Sequence, residues 1–299
     1  MNHGKVVIIV LNWNGKQDTL EVLKSIQKID FKNFKTIVVD NGSSDDSVKA
    51  IQKKFPEVMV LEAGENLGYA GGNNFGIHYA LQNDADYILL LNNDVIVDSQ
   101  LLKNLLKAAH SMPQLGIFGA KIYYFSQPKR IWYAGNSRIK KTARFSHFGK
   151  SSIDNGKKFN HLVETDYACG CAFFVDAGVF RKIGLFDENY YLTYEETDLC
   201  YRARRAGIKS YFVPDAKVWH KVSVSFGGPE SPLFKYFIAR NKLLWAEKNL
   251  PLLERLMVYK AAFKEFLILF RPPRFRVNKS QNILLTNRIK GSLLDYKIF

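Results

Sequence analysis

Between residues 5 and 110 the chain repeats one rhythm: a short apolar burst rich in Val and Ile, a polar turn, then a stretch of helical spacing. The bursts at 5–11 (KVVIIVL), 35–39 (KTIVV), 58–61 and 87–91 predict strands. The stretches 19–29, 46–55, 99–109 and the one running from the glycine-rich 66–73 segment to about 81 predict helices. Strands alternating with helices imply an α/β fold, a Rossmann-like, mostly parallel sheet with right-handed crossovers, flanked by helices. Ligands of such sheets lie beyond the carboxyl ends of the strands. The residues closing the first, second and fourth strands are Asn12, Asp40 and the group Asn92, Asn93 and Asp94, so the rule gathers all five at one crevice.

The rhythm lapses over 115–165, which is rich in aromatics, Lys and Arg and reads as an inserted excursion with short strand-like pieces such as 121–125. It resumes over 166–220 with a strand near 172–175, a helix to 183, a loop, a helix ending at Gly207 and a strand over 209–213. Beyond Pro232 the text is helical and basic.

Lys and Arg outnumber Asp and Glu by 43 to 28, a formal charge of +15, so anions are the expected partners: diphosphates, acidic lipid headgroups or nucleic acid. No RNA-recognition, helix-turn-helix or zinc-finger signature accompanies the charge, which argues against nucleic acid. Cys169, Cys171 and Cys200 are too few and wrongly spaced for a zinc knuckle or a C-x-x-C redox pair, and read as reduced core thiols of a cytoplasmic protein. The N-terminal apolar run breaks at Asn12 and Asn14 without the pattern of a signal peptide, and no run reaches the roughly 18 apolar residues of a membrane span.

Four segments carry candidate chemistry. VVDNGSSDDS (38–47) reads either as a turn with Ser44 or Asp45 capping a helix, or as a site where Asp40 accepts a hydrogen bond from the imide N–H of uracil or thymine. ENLGYAGGNNFG (65–76) is neither G-x-G-x-x-G nor a Walker loop; it reads as a flexible glycine loop that brings backbone and a helix N-terminus close to an anionic ligand. LTYEETDLCYRARRAG (192–207) matches a T-x-x-E capping box at Thr193 and Glu196, yet capping explains one acid and not the three present, Glu195, Glu196 and Asp198. A carboxylate cluster at a helix start beside a crevice also suits a general base. VWH (218–220) offers His220, structural or metal-ligating.

Taken in order, VLNWNG, VVDNGSSDDS, NLGYAGGNNFG, LLLNNDV, GLFDENYYLTYEETDLCYRARRAG and VWH resemble the family 2 glycosyltransferases of GT-A fold, in their rhamnosyltransferase-like branch, over roughly residues 5–225. The resemblance implies a GT-A domain over 1–230, with a nucleotide-sugar half (1–110) and an acceptor half (111–230), followed by a helical basic extension over 231–299. It implies that Asn12, Asp40, Asn66, Gly68, Asn73, Asn92 and Asn93 bind a nucleotide-diphosphate sugar, with Asp40 on the base. Asp94 stands at the last acid of the family's D-x-D position and, with His220, would hold Mg2+ or Mn2+. Glu196 falls on the catalytic-base position where the family usually has Asp, which leaves the base open between Glu195 and Glu196. Asp187 and Asp198 would meet the acceptor, Asp198 alternatively being structural.

The implied reaction is inverting, metal-dependent transfer, with dTDP-rhamnose the first donor expected, to a hydroxyl of a cell-surface polysaccharide or lipid-linked glycan. A UDP-hexose or UDP-N-acetylhexosamine transferase and a catalytically silent sugar-binding scaffold are the alternatives. Sugar nucleotidyltransferases share a related fold but carry a Gly-rich basic loop after the first strand, where this chain has NWNGKQDT.

Residues 251–299 hold ten Lys/Arg against three Asp/Glu. Leu252, Leu256, Tyr259, Phe263, Phe266, Leu267 and Phe270 recur at helical spacing with Arg255, Lys260 and Lys264 between them. This is either a helix packed on the core or an amphipathic segment, over 252–276, on the anionic inner face of the cell membrane.

Overall fold

A computed structural model describes residues 4–140, 142–222 and 231–269. The first half follows the rhythm: β1 (Val6–Asn12), α1 (Lys16–Ile26), β2 (Phe34–Asp40), α2 (Ser47–Lys54), β3 (Met59–Glu62), α3 (Gly68–Gln82), β4 (Tyr87–Asn92), β5 (Val95–Val97) and α4 (Leu101–His110). Then come β6 (Gly116–Tyr124), β7 (Gln127–Tyr133), β8 (Asn136–Ile139), β9 (Arg144–His147), β10 (Val163–Thr165), β11 (Ala172–Asp176), α5 (Ala177–Ile183), a 3-10 turn (Glu188–Tyr190), α6 (Glu195–Arg205) and β12 (Lys209–His220). The helices α7 (Pro232–Asn249) and α8 (Leu252–Leu269) follow.

Ten strands form one sheet, in the order β10-β12-β6-β11-β4-β1-β2-β3, with β5 on β12 and β7 on β6. The parallel run expected from the rhythm spans β4, β1, β2 and β3, and register sets Asn12 beside Asp40 and Leu11 beside Asn92. Beyond β4 the sheet turns mixed, because β11 enters antiparallel between β4 and β6. The 115–165 excursion is a correction: β6 is a nine-residue strand inside the sheet, parallel to β12. Its GIFGAKIYY text carries glycines and a lysine, which hid a strand fixed by neighbours on both sides. Lys121 is tolerated there because it pairs with Asp154 at 2.9 Å. The strand expected over 209–213 continues past a bulge to His220, so the histidine is its last residue.

Apolar side chains of the strands fill both faces, one beneath α1, α2 and α4, the other beneath α3, α5 and α6. A third, smaller core joins Tyr190 to Trp245, Ala246, Leu250 and Val258, so α7 and α8 pack on the turn before α6. α8 packs along one side, through Val258 and the pairs Glu254–Arg138 and Glu265–Lys242, and most of the apolar residues at helical spacing lie off that side. Leu252, Leu256, Phe263, Phe266 and Leu267 are exposed, while Val258 is buried. Phe270 and the rest of the 252–276 segment beyond it lie outside the described residues.

Candidate functional site

The strand ends meet in a polar network. Asn12 is fully buried, and its amide nitrogen donates to Asp40 Oδ1 (2.7 Å), Ser47 Oγ (3.0 Å) and Ser43 Oγ (3.1 Å). Its Oδ1 accepts from Thr19 Oγ1 at 2.7 Å, and Asn93 Nδ2 donates to the same threonine at 3.1 Å. Asp40 Oδ2 accepts from the Ser43 amide at 3.0 Å. Asn12 thus braces Asp40, Ser43 and Ser47 from behind. The cap expected of Ser44 or Asp45 takes a different form: Asp46 is the N-cap without a side-chain bond, while Asp45 Oδ1 accepts from the Ser47 amide.

The glycine segment is corrected. It is no flexible loop, since α3 begins at Gly68 and carries Gly71, Gly72 and Gly76 inside it. A Cβ on Gly72 would stand 2.6 Å from Leu11 Cδ1, and one on Gly76 2.7 Å from Ile9 Cγ2; the glycines let the helix lie close to the sheet. The first amides are engaged within the protein: Leu67 donates to Asn41, Gly68 to Asn66, and Tyr69 and Ala70 to the Tyr191 carbonyl. Asn41, which sequence reasoning passed over as a turn residue, also donates to Asn66 Oδ1 and the Gly68 carbonyl. Asn73 is buried and donates back to Tyr69 O.

At the end of β4, Asp94 Oδ2 lies 3.1 Å from His220 Nε2. Two ligands on adjacent vertices of an octahedron with bonds of ~2.1 Å are about 3.0 Å apart, so this pair fits a shared Mg2+ or Mn2+. Such ions take one or two protein carboxylates besides phosphate and water. No group of three or more His, Cys, Asp or Glu that could hold an ion occurs among the described residues. Asn92 donates its amide to the Cys171 carbonyl, while its buried Oδ1 has no hydrogen-bond partner among the described residues.

The 169–171 loop links this corner to the acids. A Cβ on Gly170 would stand 3.6 Å from Glu196 Oε1, and the Gly170 carbonyl accepts from Tyr69 Oη at 2.7 Å. The three cysteines are buried and free. Burial, then the neighbouring Glu196 charge, pushes the Glu195 carboxyl well above the usual carboxylate range. Burial raises Glu196 as well, against opposing hydrogen bonds from its own amide, Glu195 and the Gly170 amide. One oxygen of each, Oε2, is buried without a hydrogen-bond partner among the described residues. Two adjacent acids, desolvated and incompletely bonded, are suited to proton exchange with a bound hydroxyl.

The capping box at Thr193 and Glu196 is not formed. Tyr194 is the N-cap, in left-handed conformation, and Thr193 Oγ1 is buried without a partner among the described residues. Asp198 has the contacts of the structural alternative: it accepts from Arg202 (2.7 Å), Asn249 (2.7 Å) and the Tyr190 hydroxyl (3.2 Å). Asp187 caps the 3-10 turn through the Asn189 amide and pairs with Lys248.

A wall of rings that the sequence did not announce runs alongside. Trp132 stands edge-on to His220 and to His147, with centroids 5.1 and 5.6 Å apart, and His147 Nε2 meets the Tyr167 hydroxyl at 2.6 Å. Burial, then Lys150, lowers the His147 pKa to about 4, so its imidazole is neutral at pH 7.

Residues 6–183 match the family described as Glycosyl transferase family 2. The low-salt glycan biosynthesis hexosyltransferase of Haloferax volcanii is 27% identical over 238 residues, 79% of this chain and 74% of that protein. The dTDP-rhamnosyl transferase RfbF of Shigella flexneri is 25% identical over 262 residues, 84% of this chain and 83% of that one. Among solved structures, GalNAc-T7 with UDP, GalNAc and Mn2+ superposes with a TM-score of 0.63 at 14% identity, covering 82% of this chain and 48% of its own. A mannosyltransferase from Pyrobaculum calidifontis with GDP-Man and Mn2+ gives 0.57 at 14% identity, covering 98% and 81%. These likenesses establish the fold as that of the GT-A glycosyltransferases.

Proposed function

The chain belongs to glycosyl transferase family 2, and on that premise we propose that it moves a sugar, with inversion, from a nucleotide-diphosphate donor to a hydroxyl of a glycan or lipid-linked precursor. The observation that carries this reading is the Glu195–Glu196 pair, two desolvated acids each with a buried oxygen that has no hydrogen-bond partner among the described residues, joined through Gly170 to the corner that holds Asp94 and His220.

The chain's own groups account for the remaining steps. Asp40, braced by Asn12 and the Ser43 amide, meets the imide of a uracil or thymine ring. Asn66, Gly68, Asn73, Asn92 and Asn93 shape the donor pocket around it, most of them through the hydrogen bonds that fix its walls. Asp94 and His220 would hold Mg2+ or Mn2+, which when bound neutralises the charge of the departing diphosphate. One carboxylate of the Glu195–Glu196 pair takes the proton of the acceptor hydroxyl as its oxygen attacks the anomeric carbon. The bond to the diphosphate breaks on the opposite face, the centre inverts, and nucleoside diphosphate leaves. Asp187 and Asp198 shape the acceptor side through the turn before α6 and through α7.

The relatives favour rhamnose from dTDP-rhamnose as the donor sugar, since RfbF is a dTDP-rhamnosyl transferase and a Mycobacterium tuberculosis relative is an N-acetylglucosaminyl-diphospho-decaprenol L-rhamnosyltransferase. The exposed apolar side chains of α8, interleaved with Lys260 and Lys264, favour a peripheral seat on an anionic membrane. No helix among the described residues is long and apolar enough to cross one.

The test incubates purified protein and Mn2+ with dTDP-rhamnose, UDP-glucose, UDP-N-acetylglucosamine and GDP-mannose, and follows nucleoside diphosphate release. Release from a dTDP or UDP sugar that is lost in Glu196→Gln or Glu195→Gln supports the reading and names the base. No release from any donor, with no nucleoside diphosphate bound, refutes it.

A further inference from the structure

The extension after β12 holds the strained segment that presents the two acids. Between the 3-10 turn and α6, three residues other than glycine take left-handed conformations: Tyr191 at φ 59°, Thr193 at 70° and Tyr194 at 72°. Each such conformation costs about 1–2 kcal/mol, so the segment persists only where its surroundings fix it. One side chain does much of that. Asn241, in the interior of α7, is fully buried, and its Nδ2 lies 2.8, 2.7 and 2.9 Å from the carbonyl oxygens of Tyr190, Leu192 and Thr193. Two N–H bonds thus serve three carbonyls spread over four residues.

The orientation of that amide is itself fixed. Arg240 Nη1 donates to Asn241 Oδ1 at 2.8 Å, which turns the nitrogen toward the three carbonyls, and to the Asn189 carbonyl at 2.8 Å. The carbonyl left out of this grip, Tyr191 O, accepts from the Tyr69 and Ala70 amides at the start of α3. Every backbone carbonyl from Asn189 to Thr193 is therefore held, four by α7 and one by α3. Glu195 begins two residues later, at the first position of α6. Asparagine is a poor residue for a helix interior, so its place midway along an 18-residue helix calls for a tertiary reason.

We propose that Arg240 and Asn241 are positioning residues for the carboxylate pair: they lock the left-handed segment that sets the aim of Glu195 and Glu196, which makes α7 a part of the active site. This rests on the glycosyl-transfer reading. It adds that residues of the extension, with no contact to Asp40, Asp94 or His220, govern the chemical step rather than donor binding. A shift of an acid by about 1 Å is enough to cost on the order of 100-fold in rate.

The experiment compares wild type with Asn241→Asp, which keeps the shape and loses the donors, and with Arg240→Ala, a change at a partly exposed site that leaves the buried packing alone. Arg144→Ala is the control; it breaks an exposed pair with Glu265 on α8 and removes none of the hydrogen bonds that hold the 189–193 carbonyls. Steady-state kinetics with the donor that wild type consumes, a pH profile of kcat and nucleoside diphosphate binding with Mn2+ are measured on folded protein. The expected result is a kcat loss of about 100-fold for Asn241→Asp and about tenfold for Arg240→Ala, both with a displaced pH profile and donor KM within about twofold. Arg144→Ala matches wild type. Wild-type kcat and pH profile in Arg240→Ala overturn the proposal, even if Asn241→Asp does not fold. So does a loss in either variant that falls on donor KM and nucleotide binding. A wild type inert toward every donor refutes the underlying reading instead, so the two failures are told apart.

Discussion

Replacing Gly76 with Ala tests the packing that brings α3 down onto the strand ends. In an ordinary helix interior the change is favourable by about 0.8–1.0 kcal/mol, because Ala loses less conformational freedom. Here the new methyl would stand 2.7 Å from Ile9 Cγ2 and 2.9 Å from Val39 Cγ2. Both neighbours are fully buried and β-branched on central strands, so neither methyl can swing away without an off-rotamer side chain or a shift of the strand. Overpacking of this kind costs about 1–3 kcal/mol, and two stiff contacts place it toward the upper end. The net expectation is a loss of about 1–2 kcal/mol, opposite in sign to the propensity effect. Urea unfolding followed by tryptophan fluorescence should show a lower midpoint at unchanged slope. A Gly76→Ala protein more stable by about 1 kcal/mol would refute the close approach and return the segment to the loose loop that its sequence suggests.

The carboxylate pair makes its own predictions. Since both acids hold protons above the usual range and a base must be ionised, kcat should climb with pH through the raised value, as a pH–rate profile will show; a rate flat from about pH 5 to 8 contradicts this. The folded state keeps the Glu195 proton where the unfolded chain has lost it, so this group's contribution to stability is full at low pH and declines as pH rises through the raised folded value. Glu195→Gln should therefore melt above wild type at about pH 8 and lose that advantage near pH 4, while losing activity if Glu195 is the base. Asn12→Ala strands Asp40 Oδ1 and the hydroxyls of Ser43, Ser47 and Thr19 in a buried place. Denaturation should show a loss of about 3 kcal/mol, and nucleotide binding should weaken with it.

How much of this the sequence announced depends on the range of the forces involved. β1, β2 and β4 were legible because they are buried on both faces over most of their length and read as near-continuous Val, Ile and Leu runs. Asn12, Asp40 and Asp94 were legible because a parallel sheet delivers its strand ends to one edge, and register indeed sets Asn12 beside Asp40. The glycine segment misled because the same residue type serves a turn and a close helix-to-sheet approach, and only the facing methyls of Ile9 and Val39 distinguish them. β6 was obscured because two of its three partner strands, β11 and β12, lie about 50 residues or more away in sequence. The T-x-x-E match at Thr193 was local chemistry overruled by the left-handed turn that α7 holds in place. Asn241 carried one clue, an asparagine midway along a basic, apolar helix, and its three carbonyl partners lie some 50 residues back.

In the proposed function one crevice binds a nucleotide by its base at Asp40 and its diphosphate beside Asp94 and His220. Calorimetric titration of dTDP, UDP and GDP into wild type, Asp94→Ala and Asn93→Ala, with and without Mn2+, tests it directly. The expected result is that dTDP or UDP binds wild type with Mn2+, that binding weakens by about tenfold or more, ~1.4 kcal/mol, without the ion or in Asp94→Ala, and that Asn93→Ala is much milder. Binding of GDP alone, or equal binding to wild type and Asp94→Ala whether or not Mn2+ is present, would contradict it.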